Sequence, residues 1–328
     1  MVARSGKAKK VLVTGGAGFI GSHLCDLLVS EGFEVTCVDN LLTGKKENIE
    51  YLLQEANFRF VKHDIITGFG NEELMAYKPD FIFHLASPAS PIDYWKYPQE
   101  TLLVNSTGVL HVLDLAKLAG AKVLITSTSE VYGDPLEHPQ KETYLGNVNT
   151  FGPRSCYDES KRFSEAATRV FIDKYALDAR IIRIFNTYGP RMQKDDGRVV
   201  SNFIVWALAG KDIKIDGDGS QTRSFCFVSD MVKGIYQAMF SEKTAGKIFN
   251  LGNPGEFTIL ELAKKVLTET NSKSKIVFSG AFRTDDPMRR CPDITKAREV
   301  LSWEPKVSLT GGLPKTIAYY KQVDQRLR

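Results

Sequence analysis

The 328-residue chain is short of three things: paired cysteines, surplus charge and long apolar runs. Its five cysteines, at positions 25, 37, 156, 226 and 291, show no CxxC spacing and are odd in number. A disulfide framework and a metal site are therefore not expected, and reduced thiols are. Lys plus Arg number 43 and Asp plus Glu 39, so the net charge is +4, too small an excess to imply a nucleic-acid partner. Part of it sits in Arg4, Lys7, Lys9 and Lys10, which read as a flexible N-terminal tail over residues 1–10. MVARSGKAKK has no apolar core, and Val11–Val13 is far too short for a signal peptide or a membrane span. With no run of membrane length read elsewhere, the expectation is a soluble cytoplasmic protein with no membrane partner. Repeats and low-complexity segments are missing too. A composition of 43% hydrophobic and 25% charged residues is that of a globular chain, not a disordered, collagen-like or coiled-coil one. The length asks for one large domain with an appended lobe, or for two domains.

The pattern that is present is an alternation. Short β-branched runs at 11–14, 34–38, 57–62, 80–85, 122–126 and 179–184 alternate with helical periodicity at 22–30, 99–118 and 157–175. Strand–helix alternation predicts an α/β fold, a doubly wound parallel sheet of the Rossmann type with helices on both faces. After Pro190 the texture changes. Turn signals at Asp195-Asp196-Gly197 and Asp216–Gly219 separate helices near 199–209, 229–241 and 258–269 from strands near Ile213–Ile215 and Ile248–Leu251. The reading is a nucleotide-binding domain over 11–190 and a smaller mixed α/β substrate lobe over 191–328, some of whose segments return to the main sheet.

The first strand runs into Gly15-Gly16-Ala17-Gly18-Phe19-Ile20-Gly21. In this GxxGxxG spacing Gly15 permits a tight turn, Gly18 lets backbone approach a pyrophosphate, and Gly21 lets helix and strand pack closely. The pyrophosphate belongs at the amino end of the following helix, where N–H groups and the dipole favour an anion. Asp39 ends the second strand, 18 residues beyond Gly21, at the spacing of a carboxylate that binds a ribose diol. Its charge repels a 2′-phosphate, so NAD is expected over NADP. Asp64 either reaches an adenine amino group or caps a helix.

Tyr157 and Lys161 stand at i and i+4 on one helix face. An ammonium there is expected to lower the phenol's pKa, so that a phenolate takes a proton from a sugar hydroxyl as a hydride leaves. Ser127-Thr128-Ser129 is read as following the fifth strand, at the carboxyl edge of the sheet where α/β sites lie. His84 reads as structural, His23 and His138 receive no role, and nothing marks Cys156 as a nucleophile. One of Arg289 and Arg290 is expected to be a surface charge.

With TGGAGFIG at 14–21, HLA at 84–86, YDESK at 157–161 and RIFNTYGP at 183–190, the chain resembles the extended short-chain dehydrogenase/reductases that act on nucleotide sugars. HLASPASP (84–91), TSTSEVYGDP (126–135), CYDESKR (156–162), GRVVSNF (197–203), QTRSF (221–225) and RCPDI (290–294) are more specific, and resemble that family's UDP-glucuronate-decarboxylating branch. The resemblance implies Tyr157, Lys161, Thr128, Ser129, Glu130 and Arg290 as catalytic residues. It extends the NAD set from Gly15, Gly18 and Asp39 to Phe19, Ile20, Asn40, Thr43, Gly44, Asp64, Ile65, Leu85 and Ser87. It implies Pro88, Ser129, Glu130, Asn186, Val200, Asn202, Gly217, Gly219, Arg223 and Arg290 against UDP-glucuronate, and no metal. Leu103-Val104 departs from the lysine-threonine that some relatives carry, which puts a polar contact there in doubt.

Related 4,6-dehydratases carry an Asp-Glu pair after the fifth strand; here the pair is Ser129-Glu130, and a serine does not readily protonate a leaving hydroxide. The implied course is C4 oxidation, loss of CO2 from the β-keto acid, C5 protonation and re-reduction to UDP-xylose, with Glu130 moving or orienting protons and Arg290 a donor near C5. A 4-epimerase or 4,6-dehydratase remains a rival reading, as does a non-catalytic NAD-binding scaffold. The resemblance also implies a homodimer, since family members usually pack two helices from each subunit into a four-helix bundle. The apolar positions of the helices near 99–118 and 157–175 (Leu102, Leu103, Val109, Leu110, Leu113; Phe163, Ala166, Ala167, Val170, Phe171) exceed what one sheet face needs.

Overall fold

A computed structural model describes residues 8–70, 77–281 and 287–326, with side chains as far as 323. Arg4, Lys7 and the rest of the tail to residue 7 lie outside the described residues. The strands that read as nearly continuous apolar runs form one sheet of seven, all parallel: β1 (Lys10–Thr14), β2 (Glu34–Asp39), β3 (Phe58–Lys62), β4 (Phe81–His84), β5 (Lys122–Thr128), β6 (Ala179–Ile184) and, from the C-terminal part, β11 (Ile248–Leu251), in the order β3-β2-β1-β4-β5-β6-β11. Successive side chains on a strand face opposite sides, so a strand buried on both faces needs apolar residues at every position. Val11 and Val13 accordingly pack on one face with Leu24 and Leu28 of α1 (Phe19–Ser30) and Met231 and Ile235 of a later helix, Val228–Phe240. Leu12 packs on the other with Val109, Val112 and Leu113 of a helix over Pro98–Ala119 and with Phe171 of one over Ser155–Tyr175.

In chain order the helices after α1 are α2 (Pro91–Lys96), α3 (Pro98–Ala119), α4 (Ser155–Tyr175), α5 (Val199–Leu208), α6 (Val228–Phe240), α7 (Ile259–Thr270), α8 (Thr295–Leu301) and α9 (Leu309–Arg326). The reading of α3 needs a correction. By length and composition it is apolar enough to cross a membrane, with a mean hydropathy of 1.3 over 18 residues. The run-based reading missed it because polar residues such as Asn105 interrupt it. In this fold it is a core helix with an outer face, and 44% of that stretch is buried.

The third core belongs to the C-terminal part: Val200, Phe203 and Ile204 of α5, Ile213 and Ile215 of β8 (Ile213–Ile215), Leu262 and Val266 of α7, and Leu313 and Ile317 of α9. Thr258 and Glu261 form a reciprocal capping box that starts α7. Small sheets join β7 (Thr187–Tyr188) to β10 (Cys226–Phe227), β8 to β13 (Ile276–Phe278), and β12 (Glu256–Thr258) through β9 (Thr222–Ser224) to β14 (Arg289–Arg290). Because β11 and α6 complete the main sheet and its cover, the segment after residue 190 contributes to both layers.

Candidate active site

The glycine turn after β1 is shaped as its spacing requires. Gly15 has φ +73°, and a Cβ there would fall 2.5 Å from the Ala86 nitrogen. A Cβ on Gly21 would fall 2.1 Å from the Gly15 carbonyl oxygen, so α1 packs on the turn only without one. No side chain caps α1, which leaves its amino end open to an anion. Asp39 is buried, with Oδ2 accepting the Ala17 N–H at 3.0 Å and Oδ1 the Leu41 N–H at 2.8 Å. Burial raises its pKa against the pull of those two donors. Each oxygen keeps a lone pair for a ribose hydroxyl. A Cβ on Gly44 would lie 2.9 Å from both carboxylate oxygens, which explains the glycine. These groups fit a dinucleotide.

Two adjoining cavities lie at the carboxyl edge of the sheet. The larger, about 310 Å³, holds Tyr157, Lys161, Thr128, Ser129, Glu130, Arg290, Asn186, Val200, Asn202 and Arg223, with Phe19 and Ile20 on its wall. The smaller, about 70 Å³, holds Asp39, Asn40, Gly44, Asp64 and Ile65, and shares Gly15, Gly18, Thr43, Leu85 and Ser87 with the larger. Asp64 caps a short turn, its Oδ1 accepting the Ile66 N–H at 2.9 Å, while its Oδ2 accepts from Asn40 Nδ2 at 3.1 Å on the wall of the smaller cavity.

Three expectations are corrected. Gly217 and Gly219 do not line the cavity. They take φ +69° and +80° in the turn after β8, while neighbouring Lys214, Ile215, Asp216 and Gln221 form the wall. Pro88 borders the smaller cavity at the cofactor end; Ala89, Ser90 and Pro91 face the larger one. Ser127 and Thr128 do not follow β5 but end it, since pairing with β6 runs to Thr128 opposite Ile184.

The Tyr157–Lys161 pair also differs from expectation in its electrostatics. Both side chains are buried. Lys161 donates to the Thr126 carbonyl at 2.9 Å, and its Nζ is 6.0 Å from the Tyr157 ring centroid. Burial brings Lys161 down to about 7, and burial pushes Tyr157 above the usual phenol range, the Thr128 hydroxyl pulling back. Two buried groups with little counter-charge each favour the neutral form. The ring of Tyr94, from α2, stacks on Tyr157 at 5.2 Å and 9°. The sequence reading missed Tyr94, although Ser90 followed by Pro91 is a helix-start signal.

Glu130 sits between two guanidinium groups. Arg290 Nη2 is 2.9 Å from its Oε2, Arg290 Nη1 binds Oε1, and Arg154 Nη2 binds Oε2. Burial would raise the pKa of Glu130, but Arg290, Arg154 and Arg223 hold it below the usual carboxylate range. Glu130 is thus an ionised acceptor and not a solvated loop residue. Arg290 is buried and Arg289 exposed, as the alternative of one surface arginine requires. Arg154 was missed, though it stands three residues before Tyr157. Its Nε lies 3.9 Å from Asp158 Oδ2. Burial, and next Glu130, push Asp158 up to about 7. Asn105 was missed as well. At a π-helical turn of α3, Val104–Gly108, its Nδ2 donates to Ser87 Oγ at 3.0 Å and Ser160 Oγ at 3.2 Å, tying the cofactor loop to α4. His84 is fully buried, its Nδ1 2.8 Å from Thr14 Oγ1, and burial lowers it to about 3, as a structural histidine.

A seven-stranded parallel sheet with this glycine turn, a carboxylate ending β2, and a buried Thr-Tyr-Lys set over one cavity defines a short-chain dehydrogenase/reductase of the extended, nucleotide-sugar type. A family model described as GDP-mannose 4,6 dehydratase matches residues 12–316. The chain is 52% identical over 316 residues to UDP-glucuronic acid decarboxylase 4 of Arabidopsis thaliana, covering 96% of this chain and 69% of that protein. It is 49% identical over 314 residues to UDP-glucuronic acid decarboxylase 1 of Danio rerio, covering 96% and 73%. Among solved structures it is similar to UDP-glucuronic acid 4-epimerase from Bacillus cereus in complex with UDP-glucuronic acid and NAD, with a TM-score of 0.86, 29% identity, and 96% and 99% of the two chains covered. The chain belongs to this dehydratase-type family and, within it, to the UDP-glucuronic acid decarboxylases.

Proposed function

We infer that the protein is an NAD-dependent carboxy-lyase that converts UDP-glucuronate to UDP-xylose and CO2. The observation that carries this is Glu130 held between Arg154 and Arg290, with Ser129 in the place where the related dehydratases carry an aspartate. Water elimination needs an acid at that place; a serine and a doubly paired carboxylate supply none.

The α1 turn and Asp39 would hold NAD, which would supply a hydride acceptor and donor at C4. The chain's own residues do the rest. Tyr157, with Thr128 bonded to it, takes the C4 hydroxyl proton, and Lys161, its pKa lowered by burial to about 7, stabilises the phenolate as it forms. The 4-ketone then lies β to the C5 carboxylate. Cleavage of the C5–carboxyl bond sends its electron pair into the ketone as an enolate, and CO2 leaves. We assign Arg290, held by Glu130, to stabilise that developing charge as a donor near C5. C5 then takes a proton from solvent water, and Tyr157 returns its proton to the C4 oxygen as the ketone is reduced. Arg223 offers the diphosphate a charge-assisted partner.

Incubation with UDP-glucuronate and NAD tests the reading. Released CO2 and a UDP-pentose are expected; a UDP-sugar of unchanged carbon number would mean epimerisation and sink it. We further propose a cytoplasmic homodimer in which α3 and α4 of each copy form a four-helix bundle. Leu102, Phe163 and Val170 support it, being 48%, 44% and 55% exposed on these two adjacent helices.

A further inference from the structure

Outside the catalytic groups, His138, Glu256 and Cys291 each present one donor atom, all within 4.8 Å of one another. They come from three distant segments: the loop after β5, the start of β12 and the residue following β14. His138 Nε2 is 2.8 Å from Glu256 Oε2. The other oxygen of Glu256 accepts the Thr222 hydroxyl at 2.7 Å, which fixes the carboxylate's direction. Imidazole, carboxylate and thiolate form a donor set suited to zinc-class ions. Tetrahedral bonds of about 2.0–2.3 Å place donors roughly 3.5 Å apart, so adjustments of about an ångström bring the three around one ion. The side chains of His138 and Glu256 are 29% and 28% exposed, which leaves an entry path and room for a water in a fourth position. Burial first, then Glu256 and Asp293, keep Cys291 a neutral thiol, and the same two carboxylates attract a cation.

The cluster abuts the active site through one small sheet. In β12-β9-β14, Arg290 pairs in register with Arg223, and both line the main cavity. Cys291 is the next residue, its N–H donating to Gln140 Oε1 at 2.9 Å and its carbonyl accepting the Gln140 N–H at 2.9 Å. A pull on Cys291 therefore acts on the backbone that aims Arg290 at Glu130.

We propose that His138, Glu256 and Cys291 form an inhibitory site for a thiophilic divalent ion of the zinc class, whose binding displaces Arg290. The ion replaces the thiol proton, which is released to solvent, and no redox change is involved. No local pattern signals the cluster, because no two of the three ligands are close in the chain.

Cobalt(II) and then zinc(II) added to the chelator-treated full chain test this. One cobalt per chain should give a thiolate-to-cobalt charge-transfer absorption that zinc abolishes and magnesium leaves unchanged. The band should vanish in Cys291→Ser, and cobalt affinity should fall at least tenfold in His138→Gln, a surface change that spares the core. No band in the wild type, or the same band in Cys291→Ser, overturns the site. Zinc should also inhibit CO2 release by the wild type at concentrations at least tenfold below those that inhibit His138→Gln. Equal inhibition of the two overturns the coupling to Arg290. The turnover arm rests on the decarboxylase reading and the cobalt spectrum does not, so their failures are distinguishable.

Discussion

Tyr157 shows how far residue chemistry depends on surroundings. The phenol is the proposed base of the reaction, yet burial holds its proton on, with the Thr128 hydroxyl and Arg198 pulling the other way. Tyr157→Phe should lower kcat by about 10²- to 10⁴-fold while NAD binding, followed by fluorescence quenching, stays near wild type. Glu130 depends equally on its neighbours. Alone on a loop it would be an ordinary carboxylate; between Arg154 and Arg290 it is an ionised anchor. Arg290→Ala should slow CO2 loss more than C4 oxidation, so that NADH absorbance and a 4-keto sugar build up in single turnover. CO2 release as fast as wild type in that variant would remove Arg290 from the step.

At the scale of elements, the strands set the site and the helix ends fill it. Strand β1 and α1 share the glycine turn, β5 delivers Thr128, and α4 brings Tyr157 and Lys161 across from it. His84, at the end of β4, and His23, on α1, are both held neutral, lowered by burial to about 3 and about 4. The unfolded chain binds protons at these imidazoles below about pH 6.5 and the folded one does not, so their contribution to stability falls as pH drops from 6.5 toward those values. Asp158, raised to about 7, works in the opposite direction over part of that window. The comparison is therefore between variants. Urea midpoints at pH 7 and pH 5 should show His84→Asn losing less stability than wild type, by up to about 1.4 kcal/mol per pH unit.

For the whole molecule, the outer faces of α3 and α4 carry the prediction. Phe163→Glu combined with Val170→Glu should turn a dimer into a monomer by light scattering, because two charges per copy would be buried in the bundle. An unchanged mass would move the interface elsewhere. Much of the architecture was legible beforehand because period is a local property. The read strands at 179–184, 213–215 and 248–251 coincide with the observed ones, and the α4 and α6 readings miss by one or two residues. Short elements such as α2, β9, β12 and β14 were not legible, being too brief to show a period and held by partners far away in sequence. The same division runs through the site. Glycine spacing, Asp39 and the Tyr157–Lys161 interval are set by short-range geometry, so the sequence by itself determined a nucleotide turn and a hydride-transfer pair. Only the tertiary structure decided that Arg154 joins Arg290 on Glu130, that Gly217 and Gly219 leave the wall to their neighbours, and that His138, Glu256 and Cys291 meet. Charge pairing and burial act through space between segments up to about 160 residues apart, and no local pattern encodes them.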